Sequence, residues 1–510
     1  MSGRVHNIAQ WIAQRSVLDG RRVAVVDEER ALSFVELESR CARAARLLAT
    51  VGIRRGDRVA LLLSNRSATL ELVFASARLG AIVVPLNTRL AAPELAELFD
   101  DCRPRALFAE AELGGLADRA CASAHSTPAF RLAVGGTADA YEAALASAAP
   151  LEEIAEVSPE DPLILMYTSG TTGVPKGALL PHRKSLFNSL NAQLFFEIAR
   201  QDKVLCVVPL FHSFGLQILA LPALYAGAQV ILQRHFDPLR VWGTVAKQGI
   251  TYLGGVPSMF RGLLEALETT PFDLSSLRFL FTAGAASPVP LIRAFEAHGL
   301  CLKQGFGQTE SSILCCLDSA DAIRKAGSVG KPVFHAELRI VRTASLAGPP
   351  DQWQDCSPGE DGEIVVRGPI TMLGYWARPE ATAETLRQGW LRTGDLGHSD
   401  EEGFVTLSGR ARDLFISGGE NVYPRQVESV YEAHPDIAEI AVTGVPDPRW
   451  GEVGRAFVVL SPGVQLDEAA LIAWGRERLA RFKVPRTFVA VPALPRTVTG
   501  KVQKFRLPHG

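Results

Sequence analysis

The chain has 510 residues, enough for about three folding units, and is 47% apolar and 21% charged, an ordinary globular composition that can bury a core without staples. Its 53 Lys and Arg against 55 Asp and Glu leave a net charge of −2. That balance excludes the basic excess of a dedicated nucleic-acid binder and still permits a local basic pocket for a phosphorylated small molecule.

The first 160 residues alternate strand-like and helix-like runs. Arg22–Asp27 reads as a strand, and Ser33–Thr50 as an amphipathic helix capped by Ser33 with Glu36 as its capping-box partner. Asp57–Leu63 reads as a buried strand, Ala68–Leu79 as a helix and Ala81–Leu86 as a strand. This order predicts parallel sheet covered by helices. The pattern resumes from Asp202 to about Gln304, with Ala138–Pro150 between as surface helix and linker. The apolar stretch Leu205–Leu232 is broken by Pro209, His212, Gly215, Pro222 and Gly227, so it fails as a membrane span. Ala347–Gly362 is a loop-rich transition, after which Gly362–Gly368 and Gly403–Gly409 read as strands of a smaller β-rich unit. From about Arg410 the texture changes. Pro424 opens a helix carrying Val427, Val430 and Tyr431 on one face, strands follow at Ile437–Val445 and Arg455–Leu460, and a helix covers Asp467–Ala480.

The eight cysteines form no CxxC or Cys/His metal spacing and read as buried apolar thiols. The start, MSGRVHNIAQWIAQR, lacks the apolar core of a signal peptide, and the end carries no peroxisomal signal. The expectation is a cytoplasmic protein without a transmembrane segment or a nucleic-acid partner; a homodimer stays open.

The strongest chemical signal is YTSGTTGVPKG at Tyr167, directly after the apolar run Leu163–Met166. Its glycines allow close backbone approach, its hydroxyls and N–H groups suit anionic oxygens, and Lys176 adds a point charge for a phosphate. A Walker loop needs Gly-Lys-Ser/Thr; here Pro175 precedes Lys176 and Gly177 follows it.

With PLFHSFG at Pro209, GFGQTE at Gly305, WLRTGDLG at Trp390, GRARDLFISGGENVYPRQVE at Gly409 and PRTVTGK at Pro495, the loop completes an ordered set spread over nearly the whole chain. The sequence resembles the acyl-adenylate-forming enzymes, which include acyl-CoA synthetases, firefly luciferase and the adenylation domains of peptide synthetases. The resemblance implies an α/β fold: a large N-terminal domain (1–410) of layered α/β sheets plus a distorted β-barrel, and a small mobile α+β C-terminal lid (411–510). It implies ATP, Mg²⁺ and coenzyme A as small-molecule reactants.

By the same resemblance, Thr168, Ser169, Gly170, Thr171, Thr172, Gly173 and Lys176 cradle the phosphates. Gly284, Ala285, Ala286, Gly305, Phe306 and Gly307 flank the adenine. Thr309 bonds the acyl phosphate and Glu310 is the magnesium ligand. Asp395, with its two acceptor oxygens, takes the ribose hydroxyls, and Arg410 reaches ribose or phosphate. Lys501 is the adenylation lysine, bridging carboxylate and α-phosphate. His212 gates the carboxylate, and no base is required, because that substrate is already ionised at neutral pH. Arg412 stands at the hinge. Gly418 and Gly419 line a pantetheine tunnel, with Trp450, Phe482 and Arg486 as coenzyme A contacts.

The acyl pocket is expected from Asn191, His212, Ser213, Phe214, Gly254, Ala283, Gly305, Gly307 and Ser312. Gly254 and Gly305 stand where relatives carry bulkier residues, which predicts room for a hydrophobic acid, either a medium- or long-chain fatty acid or a bulky aryl acid. No cation sits among these positions, but Arg261 is near enough in sequence to read the second carboxylate of an acid such as malonate. The alternatives are a carrier protein as acceptor, a luciferase-like oxidation, or a nucleotide-binding protein that has lost catalysis. Retention of Lys176, Glu310, Asp395, Arg410 and Lys501 together argues against the last.

Overall fold

The computed structural model describes residues 6–28, 30–168, 175–285, 287–417, 420–497 and 500–508. Ser169, Gly170, Thr171, Thr172, Gly173, Ala286, Gly418 and Gly419, all singled out above, lie outside the described residues.

Local sequence and local structure agree in the first lobe. Ser33 caps the helix Phe34–Thr50, with Glu36 returning the bond to the Ser33 N–H, and strands Val23–Asp27, Arg58–Leu62 and Ile82–Pro85 fall where the apolar runs place them. A seven-stranded sheet has Ile82–Pro85 beside Arg58–Leu62 and Pro162–Thr168 paired with Lys176–Pro181. A nine-stranded sheet places Lys203–Cys206, Tyr252–Gly255, Phe279–Thr282 and Leu302–Gln308 side by side and parallel, then turns antiparallel into Ser312–Cys316. The stretch Leu205–Leu232 crosses this lobe as the end of a strand, a π-helical segment Phe214–Ala220, a helix Leu221–Ala226 stopped by Gly227 (φ +82°) and another strand. Among the described residues no helix is long and apolar enough to cross a membrane.

Antiparallel strands Glu337–Val341, Gly362–Arg367, Trp390–Ser399 and Val405–Arg410 form the barrel-like third sheet. The small C-terminal unit is a fourth sheet built on the hairpin Ile437–Asp447/Gly451–Leu460, covered by helices Pro424–Tyr431 and Glu468–Arg478. In the first of these helices Val427 and Tyr431 are buried as expected, but Glu428 is buried with them and Val430 is not. Glu428 is tolerated inside because Lys504 and Arg425 neutralise it and the Val442 N–H donates to it at 2.9 Å.

The helix His182–Phe196 buries a polar face as completely as its apolar one. Apolar Leu194 is 56% exposed, while Lys184, Ser185, Asn188, Ser189 and Asn191, recurring at helical spacing, are fully buried. This polar face packs on the π-helical segment and on Ser312–Cys316, the two pieces of chain that carry or adjoin His212 and Glu310.

Candidate active site

The turn Gln308–Ser312 closes the hairpin between Leu302–Gln308 and Ser312–Cys316. Only glycine fits at 307, because a Cβ there would lie 2.0 Å from the Ser312 carbonyl oxygen, and Ser312 holds the left-handed φ of +61°. The turn presents Thr309 and Glu310. The Tyr375 hydroxyl donates to Glu310 Oε1 at 2.9 Å, the Met372 N–H donates to the Glu310 carbonyl at 2.8 Å, and Lys176 Nζ sits 5.3 Å from the centre of the Tyr375 ring. Lys176 and Glu310, 134 positions apart, thus converge around one tyrosine. Among the described residues no cluster of three His, Cys, Asp or Glu could hold a metal ion. One carboxylate beside one hydroxyl suits Mg²⁺ that arrives with nucleotide phosphates and its own water.

Asp395 and Arg410 are paired across adjacent strands, Arg410 Nε to Asp395 Oδ1 at 2.6 Å. Gln308 Nε2 donates to the other Asp395 oxygen and, at 2.8 Å, to the Thr393 carbonyl. Burial pushes the Asp395 carboxyl up, and Arg410 and Lys501 oppose that shift. Lys501 reaches this cluster from the small unit. Gly500 (φ +80°) lets its loop touch the large lobe, where a Cβ would meet Ser258 Oγ at 3.1 Å. Burial and Arg410 pull the Lys501 ammonium below its ordinary value, while Asp395 and Glu310 hold it up. The cavity between the lobes is about 270 Å³, lined among others by Gly284, Phe306, Asp395, Arg410 and Lys501.

His212 lies two residues before the π-helical segment. Its Nδ1 accepts from the Phe214 N–H at 3.4 Å, so the neutral ring carries its proton on Nε2. Burial, and then the Lys501 ammonium, lower its pKa to about 4. The imidazole is therefore neutral at working pH, a hydrogen-bond donor and not a cation.

The acyl-pocket residues divide. Gly254 and Gly305 do not open space as the sequence reading expected. A Cβ on Gly254 would lie 2.9 Å from Phe214 Cε2, and one on Gly305 2.6 Å from Phe281 Cζ. The two rings meet edge to face, 5.8 Å between centroids. The missing side chains are filled by aromatic neighbours, so these glycines do not argue for a long acyl chain. Asn191 Oδ1 accepts from the His335 N–H at 3.0 Å, and Asn191 Nδ2 and Ser213 Oγ are buried without a hydrogen-bond partner among the described residues. Ala283 is buried directly after the strand Phe279–Thr282, and Gly307 is spent on the turn. Ser312 Oγ accepts from the fully buried Lys184 Nζ, and burial lowers this lysine to about 7. Arg261 does not point to a second substrate carboxylate. Its Nη1 lies 2.8 Å from Oε1 of Glu439 on the small unit, whose Oε2 takes Arg496 at 2.9 Å.

Of the coenzyme A contacts, Trp450 is 37% exposed under Arg449, whereas Phe482 packs against the core of the small unit and Arg486 donates its backbone N–H to Gly454. None of the three lines the cavity. Arg412 is exposed in the turn between the third and fourth sheets, 3.5 Å from Asp413. Sequence reasoning missed Gln308, Tyr375, Glu439, Arg496 and Lys184. Gln308 lay inside a motif already marked, and the polar spacing 184, 188, 191 was visible along its helix.

Residues 13–376 match the family model described as AMP-binding enzyme, and residues 426–501 match that of the AMP-binding enzyme C-terminal domain. The chain is 39% identical to a feruloyl-CoA synthase of Amycolatopsis sp over 98% of both chains. It is 39% identical to an indoleacetate–CoA ligase of Aromatoleum aromaticum over 98% of this chain and 96% of that one. Its fold is similar to o-succinylbenzoate coenzyme A synthetase (MenE) from Bacillus subtilis in complex with ATP and magnesium ion, with TM-score 0.85, 33% identity and 98% of each chain covered. With a lysine from one lobe delivered against the paired Asp395 and Arg410 of the other, the chain belongs to the AMP-binding enzyme family and is an AMP-forming acid–thiol ligase.

Proposed function

We propose that the enzyme activates a ring-bearing carboxylic acid with Mg·ATP and passes the acyl group to coenzyme A, with residues 1–410 as the adenylating domain and 411–510 as a lid turning near Arg412. The observation that carries the acid class is the packing of Phe214 and Phe281 into the spaces beside Gly254 and Gly305. It removes the argument for a long aliphatic channel that those two glycines would otherwise make. The unpartnered Asn191 Nδ2 and Ser213 Oγ favour an acid with a polar substituent over a plain hydrocarbon. The aryl acids in the names of the relatives point the same way.

In the first step the acid's carboxylate attacks the α-phosphate, forming acyl-AMP and releasing pyrophosphate. Asp395 accepts from the ribose, Glu310 and Thr309 serve the metal and phosphates, and neutral His212 donates from Nε2 without competing for the acid's charge. Lys501 offsets the repulsion between two anions, in a site where burial strengthens that effect. In the second step the lid withdraws Lys501 and brings Trp450 and Arg486 towards coenzyme A, whose thiol displaces AMP.

The test is a carboxylate panel with coenzyme A, monitored for AMP and thioester. Substituted aryl acids should exceed octanoate, palmitate and malonate in kcat/KM by at least tenfold. A fatty acid as the best substrate would return the long-chain reading, and AMP release with a carrier protein but not coenzyme A would change the acceptor.

A further inference from the structure

We propose that Lys184 is a positioning residue for the turn that receives Mg·ATP: its buried Nζ, donating to Ser312 Oγ, holds Ser312 in the left-handed conformation and thereby aims Thr309 and Glu310. The proposal rests on the reading of that turn as the Mg·ATP site.

Burying Lys184 completely forfeits its hydration, a cost that a surface lysine avoids by turning outward. Here the helix turns Leu194 outward and keeps the lysine in. Its hydrogen-bond partner is Ser312 Oγ, and among the described residues no ion pair within 4.0 Å holds it, although Glu310 is close enough to raise its basicity. Ser312 is the residue at which the turn rejoins the sheet, and its φ of +61° is unfavourable for any side chain but glycine's. One helical turn further on, Asn188 Oδ1 accepts the N–H of Ile313 at 3.2 Å while its Nδ2 donates to the Gln217 carbonyl. Two consecutive residues of the strand leaving the turn are thus fastened to one helix face. On the other side Met372 and Tyr375 fasten Glu310 itself. Lys184 touches no reacting atom; it clamps the chain two residues beyond the carboxylate.

The test compares ATP affinity with Mg²⁺ and with EDTA by calorimetry, alongside acid-dependent pyrophosphate release. Lys184→Met fills the same space without the ammonium. It should keep metal-free ATP affinity within twofold, lose roughly 10- to 100-fold of the Mg²⁺-dependent increment, as supporting residues around metal sites do, and lower adenylation kcat with the acid's KM unchanged. Lys184→Met/Ser312→Gly should recover most of that loss, because glycine holds φ +61° unaided. Ser189→Ala, on the same buried face but bonded to the Ser185 carbonyl, should leave the increment unchanged. If Lys184→Met does not fold, Ser312→Ala removes the same contact from the other side and must show the same loss. An increment within twofold of wild type in the folded variant, an equal loss in Ser189→Ala, or no recovery in the double variant overturns the positioning role. A wild-type enzyme whose ATP affinity ignores Mg²⁺ overturns the reading of the turn, and the inference with it.

Discussion

Glu439 joins the two lobes, and its removal should bias the enzyme between its half-reactions. One carboxylate bridges Arg261 of the large lobe at 2.8 Å and Arg496 of the small one at 2.9 Å. Arg496 Nη1 also donates to the Gly500 carbonyl at 2.6 Å, next to Lys501, so the bridge holds the loop that carries the lysine. The pair is partly exposed, 33% for Arg261 and 22% for Glu439, which limits its worth to about 1 kcal/mol by comparison with measured surface pairs. In Glu439→Gln the two guanidiniums also lose the charge between them. A shift of about 1 kcal/mol against the Lys501-inserted arrangement is roughly fivefold in its population. Adenylation is measured as acid-dependent pyrophosphate release, and thioester formation from supplied acyl-AMP and coenzyme A. The ratio of the first rate to the second should fall roughly fivefold in Glu439→Gln. In wild type the ratio should also fall between 0.05 and 1 M salt, and less so in the variant, because the Debye length shortens to about 3 Å at 1 M. Lys501→Ala, expected to abolish adenylation, calibrates the floor. Equal loss in both half-reactions, or a ratio unchanged from wild type, would refute the argument that this bridge selects a domain arrangement.

Gly305→Ala should destabilise by about 1–3 kcal/mol through overpacking, since its Cβ would press on Phe281 Cζ at 2.6 Å and that ring already meets Phe196 at 4.7 Å. Phe281→Leu should recover part of the loss in a denaturant melt. A fully stable Gly305→Ala with a narrowed acid range would restore the open-pocket reading. His182 is fully buried, and burial lowers its pKa from 6.5 to about 4. Between those values the unfolded chain binds the extra proton, so stability rises with pH across this window and is lost as pH falls from 6.5 to 4, by up to roughly 3 kcal/mol. His182→Asn should flatten that slope in equilibrium unfolding; an unchanged slope would show that other groups carry it.

Much was legible in the linear chain, for local reasons. Ser33 and Glu36 announce a helix start because a capping box spans only three residues. The strands of the parallel core announce themselves because both faces are buried, which writes an unbroken apolar run. The family motifs name Lys176, Glu310, Asp395, Arg410 and Lys501 because each chemistry needs a particular side chain within a short, constrained loop. Tertiary structure decided what depends on which segments meet. The glycine at 305 looks like an opening until Phe281, twenty-four positions earlier, is seen to occupy it. Arg261 looks like a substrate reader until Glu439 arrives from the other lobe. The helix His182–Phe196 buries a row of polar residues from Lys184 to Asn191, because Ser312, Ile313 and Gln217 supply partners that lie far along the chain. A side chain's identity fixes what it can bond, but its burial and its partner are properties of the packed whole, and the pocket's shape and the clamp behind Glu310 are set at that level.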